Sequence, residues 1–364
     1  MNMIADIPNK LATEMHYLDG KQWDAIAVDF DDVVHEQVDS FNAARWGEHR
    51  CKYFIFKQGD TVIGGGCAII LPAKLLKTGI AIIKWGPLWR HENQQIDLEN
   101  YRTIVALLMT EFAEKLGLHL TVMPHADRYS EQICDILTEF GFKNGSSLSA
   151  PERYIVNVGI DALEVRKSLA QKWRYHLKKS EKNEFEFEFS TAPEAYDTFM
   201  SLYTIMLERK KFFDHSAIYT LKALMATNVA ALRPQVVLVS HNGTVTAGGI
   251  FDLSGDRAIY LYGATDNRAL ALKAGYAMHW HIVEYMCEIA RIKHYDLGGS
   301  DNDQGLHQFK KTFVGKEGYI LTTPPIYHYS TNVRAKIAGF VVFKGKDLKT
   351  KFDKWRRGFK VFSR

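Results

Sequence analysis

The sequence predicts a mixed α/β (α+β) fold built from two duplicated units, and three observations carry that prediction. A β-hairpin pattern with paired glycines occurs twice, as YFIFKQGDTVIGGG over residues 53–66 and VLVSHNGTVTAGGI over residues 237–250. The order of the elements after each copy also repeats. Finally, 364 residues with 46% hydrophobic and 24% charged content make ordinary globular composition at a length that suits two domains.

Each hairpin turns at a glycine, Gly59 or Gly243, and the two positions are 184 residues apart. Gly-Asp and Asn-Gly are turn dipeptides that match the twist of paired strands. Gly64 and Gly65 in the first copy, with Gly248 and Gly249 in the second, mark a bulge or a close backbone approach. The first hairpin leads to the strand-like IAIIKWGPL (80–88), a helical pattern from Asp97 to Leu116 and the strand-like LHLTVMP (118–124). The second leads to AIYLYGATD (258–266), a helical pattern from Ala269 to Arg291 and KHYDLGG (293–299). Strand, helix and strand in that order form a right-handed crossover with two parallel strands.

Ahead of the second hairpin, ALEVRKSLAQKWRYHLKKSEKN predicts a helix from Ala162 to Asn183, with Leu169, Trp173 and Leu177 on one stripe. A strand-like run from Phe185 to Phe189 and a helix from Ala195 to Lys211 follow, and a further strand is expected around Tyr319 to Thr323. The polar, Gly- and Pro-containing stretch between Ser146 and Arg153 sets the boundary. The expected division is a first domain over 1–150, a second over 151–330 and a basic aromatic segment over 331–364.

Net charge is +4, too mild to indicate a nucleic-acid partner, but residues 331–364 alone carry 11 Lys/Arg against 2 Asp/Glu. There, FKGKDLKTKFDKWRRGFKVF interleaves Phe343, Leu348, Phe352, Trp355, Phe359 and Phe362 with cations; it either contacts an anionic membrane or RNA, or docks on the first domain. Cys51, Cys67, Cys134 and Cys287 are widely spaced and suggest neither a metal nor a cluster; reduced thiols in a cytoplasmic protein are expected. The start, with Asp6, Lys10 and Glu14, does not read as a secretory signal, and the least polar stretch, Thr61 to Ala73, is too short to cross a bilayer.

The repeated unit resembles the GNAT acyltransferase fold, and two units in tandem are similar to the Fem family of aminoacyltransferases, which build the interpeptide bridges of peptidoglycan. The similarity rests on WGPL (85–88), KWRYHLKKSEKN (172–183), Arg209, Lys210 and Phe212 in LYTIMLERKKFF, YLYGAT (260–265), and YDLGG (295–299) followed ten residues later by FKKTFVG (309–315). It implies tandem GNAT-like domains, each a mixed sheet flanked by helices. The chain departs from some members in leaving no room for a coiled-coil arm between Phe213 and Val236. It also lacks both glycines of the usual coenzyme A loop, where it reads RALALK (268–273).

The resemblance therefore implies transfer of an aminoacyl group from aminoacyl-tRNA to an amine of a cell-envelope precursor, with no metal or tightly held cofactor. A coenzyme A thioester acting on a surface polysaccharide or amino sugar is the alternative donor reading, and a non-catalytic binding scaffold is the other. The setting expected is cytoplasmic, with peripheral contact at the inner membrane leaflet. Lys310 matches the cleft lysine and would stabilise an oxyanion or bind phosphate. Asp296 either orients the amine and accepts its proton or pairs with the following loop. Phe309 is apolar support for Lys310 or plain core. Gly298, Gly299 and Gly305 admit a ligand or serve the turn. His307, Asp301 and Asp303, assigned to the same polar loop, are alternative proton acceptors. Tyr262 and Arg209 are expected on one cleft, and Arg174, Lys178 and Lys179 form a basic helix face.

Overall fold

The computed structural model describes residues 12–92, 94–145, 152–210, 216–300, 303–343 and 345. Its strands are β1 (Thr13–Leu18), β2 (Cys51–Gln58), β3 (Thr61–Ala73), β4 (Thr78–Lys84), β5 (His119–Met123), β6 (Lys143–Asn144), β7 (Glu152–Asn157) and β8 (Phe185–Ser190). The remainder are β9 (Gln235–His241), β10 (Thr244–Asp252), β11 (Arg257–Thr265), β12 (His294–Asp296), β13 (Tyr319–Thr322) and β14 (Tyr327–Tyr329). They form two seven-stranded sheets, β1-β2-β3-β4-β5-β14-β6 and β13-β7-β12-β11-β10-β9-β8. The mixed α/β architecture and the duplication are both present: β2 to β5 and β9 to β12 run in the same order, antiparallel except for the parallel pairs β4/β5 and β11/β12.

The turns are built as their residues require. Asn242 (φ 51°) and Gly243 (φ 70°) both lie in the left-handed region, as an Asn-Gly hairpin turn needs. Gly65 admits a close approach: its N–H donates to Leu88 O at 2.9 Å and Leu88 N–H returns to Gly65 O at 2.8 Å. A Cβ there would stand 2.7 Å from both Phe54 O and Trp23 Cζ3. WGPL is thereby bound to the first hairpin.

The units exchange strands. After β6, at the edge of the first sheet, the chain enters the second sheet as β7; after β13, at the edge of the second, it returns to the first as β14. Tyr327–Tyr329 therefore pairs with β5 and β6 although it falls within 151–330. Among the described residues no long arm interrupts the second unit, where 216–232 carries only short helices; Phe212 and Asp301 lie outside the described residues, as do Leu348, Phe352, Trp355, Phe359 and Phe362.

The helix expected over Ala162–Asn183 is two helices, Ala162–Ser168 and Gln171–Ser180. The break has a tertiary cause: Ala170 N–H donates to Thr312 O and Lys316 N–H to Ser168 O, docking the helix Gln304–Val314 at the gap. Leu169, Trp173 and Leu177 are nonetheless buried, and Trp173 stacks on Phe313 at 4.3 Å.

One apolar cluster spans both units, joining Trp23, Phe30 and Tyr53 to Phe199, Leu232 and Ile250. Polar contacts fix the same junction. Arg90, nearly buried, donates to both carboxylate oxygens of Asp256 at 2.6 and 3.1 Å. Asp256 N–H donates to Asp31 O, and His35 N–H donates to Asp252 Oδ2 at 2.7 Å.

Candidate active site between the two units

The parallel strands β11 and β12 pair only over Arg257–Ile259 and His294–Asp296. Beyond that point β11 continues to Thr265 while the other chain turns away through Leu297, Gly298 and Gly299, so the sheet opens. The opening leads into a cleft of about 640 Å³ whose other wall comes from the first unit, through Glu36, Trp85 and His125. Ligands in α/β sheets commonly bind beyond the carboxyl ends of parallel strands, where the chains diverge. A bulge adds to the opening, since Ile250 pairs with Tyr262 and Phe251 with Tyr260, leaving Leu261 without a partner across the ladder and lining the cleft.

Lys310 projects into this opening from the helix Gln304–Val314 and is only 8% exposed. Its Nζ donates to Leu297 O and Gly299 O, each at 2.5 Å. Two backbone carbonyls thus fix an ammonium at the wall of a cleft, where the lowered dielectric strengthens its action on nearby negative charge. Gly298, at φ 73°, supplies the left-handed turn that aims those carbonyls.

Asp296 is fully buried at the foot of the opening. Its Oδ2 accepts from Arg153 Nε at 3.0 Å and Nη2 at 2.7 Å, its Oδ1 accepts from Gly298 N–H at 2.8 Å, and Arg257 Nη1 is 3.8 Å away. A carboxylate bound in this way anchors the Gly298–Gly299 turn, and through it Lys310.

Phe309 lines the cleft and packs on Tyr276, His279 and Trp173. Tyr262 also lines it, edge-on to Tyr203. Arg209 is exposed and reaches the rim, donating to Asn267 Oδ1 at 3.0 Å and Thr265 Oγ1 at 3.3 Å. Arg174 is not brought to the cleft: it sits on an exposed helix face beside Lys167 O. His307 is not a loop residue, whereas Asp303 ends the loop just before the helix. Asp303 caps the helix by accepting from Leu306 N–H at 2.8 Å, while His307 lies within it, against Tyr154 and 3.7 Å from Glu152.

Several cleft residues were not singled out in the sequence. Glu36 pairs with Lys84 at 2.6 Å; burial pushes its carboxyl up, but Lys84 and His35 outweigh this and hold it below the usual range. His125 is pushed down to about 3 by burial, then by Arg257 and Arg90; His279 falls to about 3 through burial and the nearby Lys310. Both imidazoles are neutral and too weakly basic to take a proton from an ammonium at neutral pH. His125 stands two residues past the end of β5, as Gly298 stands two past the end of β12, so the repeat itself signalled the position.

A hairpin, a third antiparallel strand, a crossover helix and a parallel partner, built twice around one cleft, define a tandem GNAT-fold protein. Residues 165–311 match the family model described as an acetyltransferase (GNAT) domain, and the chain's similarities run to the Fem family in both sequence and fold. A lipid II:glycine glycyltransferase of Staphylococcus epidermidis is 27% identical over 123 residues, which cover 30% of this chain and 29% of that protein. The match thus spans under a third of that relative's length. The solved structure of FemX superposes with a TM-score of 0.70 at 16% identity, covering 88% of this chain and 98% of the other. L-PGS from Bacillus licheniformis shares the fold at a TM-score of 0.55 and 11% identity, over 90% of this chain and 96% of its own.

Proposed function

We propose that the chain is an aminoacyltransferase that moves an acyl group from aminoacyl-tRNA to an amine on a cell-envelope precursor. The observation that carries this reading is the buried Lys310 ammonium, fixed by Leu297 O and Gly299 O where β11 and β12 part. In the reaction a neutral amine attacks the acyl ester carbonyl and a C–N bond forms. The ester C–O bond breaks, and the amine's proton ends on the departing hydroxyl. Negative charge builds on the carbonyl oxygen in between, and Lys310 stabilises it electrostatically. The amine must be neutral when it attacks, and His125 and His279, both pushed down to about 3 by burial, are weak acceptors for its proton.

The donor assignment is supported at the helix Ala274–Cys287, which GNAT enzymes that use coenzyme A would turn toward a pyrophosphate. Here it starts from Lys273 at φ 59° behind a short helix Ala269–Leu272, with no glycine between residues 268 and 273 to bring backbone N–H groups close to phosphate. The similarity to a lipid II glycyltransferase supports the acceptor class. Thermal-shift titration with charged tRNA, a UDP-linked muropeptide and coenzyme A tests the reading. Ligand at 100 times its Kd adds about 2.7 kcal/mol. Shifts with tRNA and muropeptide are expected; a shift with coenzyme A alone would transfer the assignment to a thioester-dependent N-acyltransferase.

A further inference from the structure

Asp296, on β12, is flanked by arginines from both neighbouring strands. Its ladder partners are Ile259 on β11 and Ile155 on β7, and Arg257 and Arg153 each stand two residues before those partners. Side chains two apart on a strand share a face, so both guanidiniums approach the one carboxylate, from opposite sides. They approach it unequally. Arg153 commits Nε and Nη2 to Oδ2 at 3.0 and 2.7 Å, whereas Arg257 Nη1 is 3.8 Å from that oxygen and donates to Ala126 O at 2.6 Å. Arg257 Nε is buried without a hydrogen-bond partner, and so is Nε2 of His125, the residue before Ala126. Arg257 and His125 both line the cleft, and the Arg257 side chain is only 11% exposed.

The nearby carboxylates are matched to other cations. Asp296 is held by Arg153 at 2.7 Å, Asp256 by Arg90 at 2.6 Å and Glu36 by Lys84 at 2.6 Å, each a closer contact than Arg257 makes with any carboxylate among the described residues. A guanidinium, always charged, is thus held nearly buried with a backbone carbonyl as its closest acceptor. A buried cation is costly without an anion of its own. We propose that Arg257 is a seat for an oxyanion carried by the acceptor, a carboxylate or a phosphate, which holds the acceptor while Lys310 faces the carbonyl under attack. A terminal anionic group can reach a guanidinium this deep in the cleft, whereas a nucleic-acid phosphate flanked by two sugars is too bulky. The inference rests on the acyl-transfer reading for the identity of the molecule that brings the anion; the seat itself follows from the unmatched charge.

Calorimetric titration of the full chain tests it with three probes: a UDP-linked muropeptide, the same muropeptide with its carboxylates amidated, and the muropeptide without its UDP group. Arg257→Gln should bind the first at least tenfold more weakly than the parent, and Arg257→Lys, which keeps the charge but not the fork, should fall between them. If the loss disappears with the amidated probe, the seat takes a carboxylate; if it disappears with the probe lacking UDP, it takes a phosphate. Equal binding of all three probes by parent and Arg257→Gln would overturn the proposal. Thermal shifts with acetate and inorganic phosphate, against sodium chloride at the same ionic strength, separate the seat from the acyl-transfer reading. At least one of these anions should raise the melting temperature of the parent and leave that of Arg257→Gln unchanged, even where no muropeptide binds. Circular dichroism establishes that the variant is folded, and equal shifts in parent and folded variant would also overturn the seat.

Discussion

Replacing Arg153 with Met tests whether Asp296 anchors the cleft. The substitution keeps much of the side-chain length but removes both charge-assisted hydrogen bonds to a carboxylate that has no exposed surface. Breaking a buried pair by removing one partner costs about 3–5 kcal/mol, because the remaining charge is left buried. Arg257, 3.8 Å from the same oxygen, moderates the loss, which places the expectation near the lower end, at about 3 kcal/mol. Asp296→Asn alone should cost less, since its Oδ1 can still accept from Gly298 N–H and Arg153 is partly open to solvent. The double variant should recover at least about 1 kcal/mol over Arg153→Met, as pairs in direct contact do in double-mutant cycles. Urea unfolding followed by fluorescence supplies the readout, and at the usual slopes Arg153→Met should lower the midpoint by about 1 M or more. An Arg153→Met midpoint within error of the parent, or a double variant no more stable than Arg153→Met, would refute the anchoring argument.

Other expectations follow from the same geometry. Gly65→Ala should destabilise by about 1–3 kcal/mol, because the new methyl meets Phe54 O and the Trp23 ring at 2.7 Å; calorimetry on the purified variant checks this. Acid should loosen the fold through His279, whose folded pKa of about 3 lies below that of an unfolded histidine, so the unfolded chain binds the extra proton between about pH 6.5 and 3. Asp32, pushed up to about 7 by burial, acts in the opposite sense, stabilising the fold as pH falls through 7. His279→Gln should therefore flatten the stability slope near pH 5 by up to about 1.4 kcal/mol per pH unit in urea titrations at stepped pH; an unchanged slope would count against a neutral His279. Tyr262→Phe and Arg209→Gln should raise KM for the larger substrate with a smaller effect on kcat, whereas Arg174→Gln, away from the cleft, should alter neither.

What could be read in the sequence was local. The hairpins were legible because Asn242-Gly243 and Gly59 specify their turns whatever surrounds them; the crossover helices were legible in place but not in extent, since the one expected over Ala269–Arg291 breaks at Lys273, in the left-handed region, and ends at Cys287. Lys310 and Phe309 were legible through the resemblance carried by FKKTFVG, and Asp296 and Tyr262 because they lie on strands that the repeat had already located. The rest depended on distant partners. β14 is three residues long and pairs with β5 across some 200 residues of sequence, so no periodicity announces it. The break at Leu169–Ala170 comes from Thr312, and nothing in the sequence around the break records that contact. Asp296 could be read as a proton acceptor or as a partner of the following loop; the structure pairs one of its oxygens with Gly298 N–H and the other with Arg153, 143 residues earlier in the same sheet. Arg174 lay in a motif of the right composition but on the outward face of its helix.

The most direct test of the central claim is a transfer assay with labelled aminoacyl-tRNA as donor and a muropeptide carrying a free amine as acceptor, comparing the parent with Lys310→Met. Loss of the charge that faces the developing oxyanion is expected to lower kcat about 100- to 1,000-fold, as removal of one oxyanion-stabilising group does elsewhere, with acceptor binding retained. Equal turnover by the two proteins would contradict the role assigned to Lys310. Label transferred from a coenzyme A thioester and none from tRNA would contradict the donor.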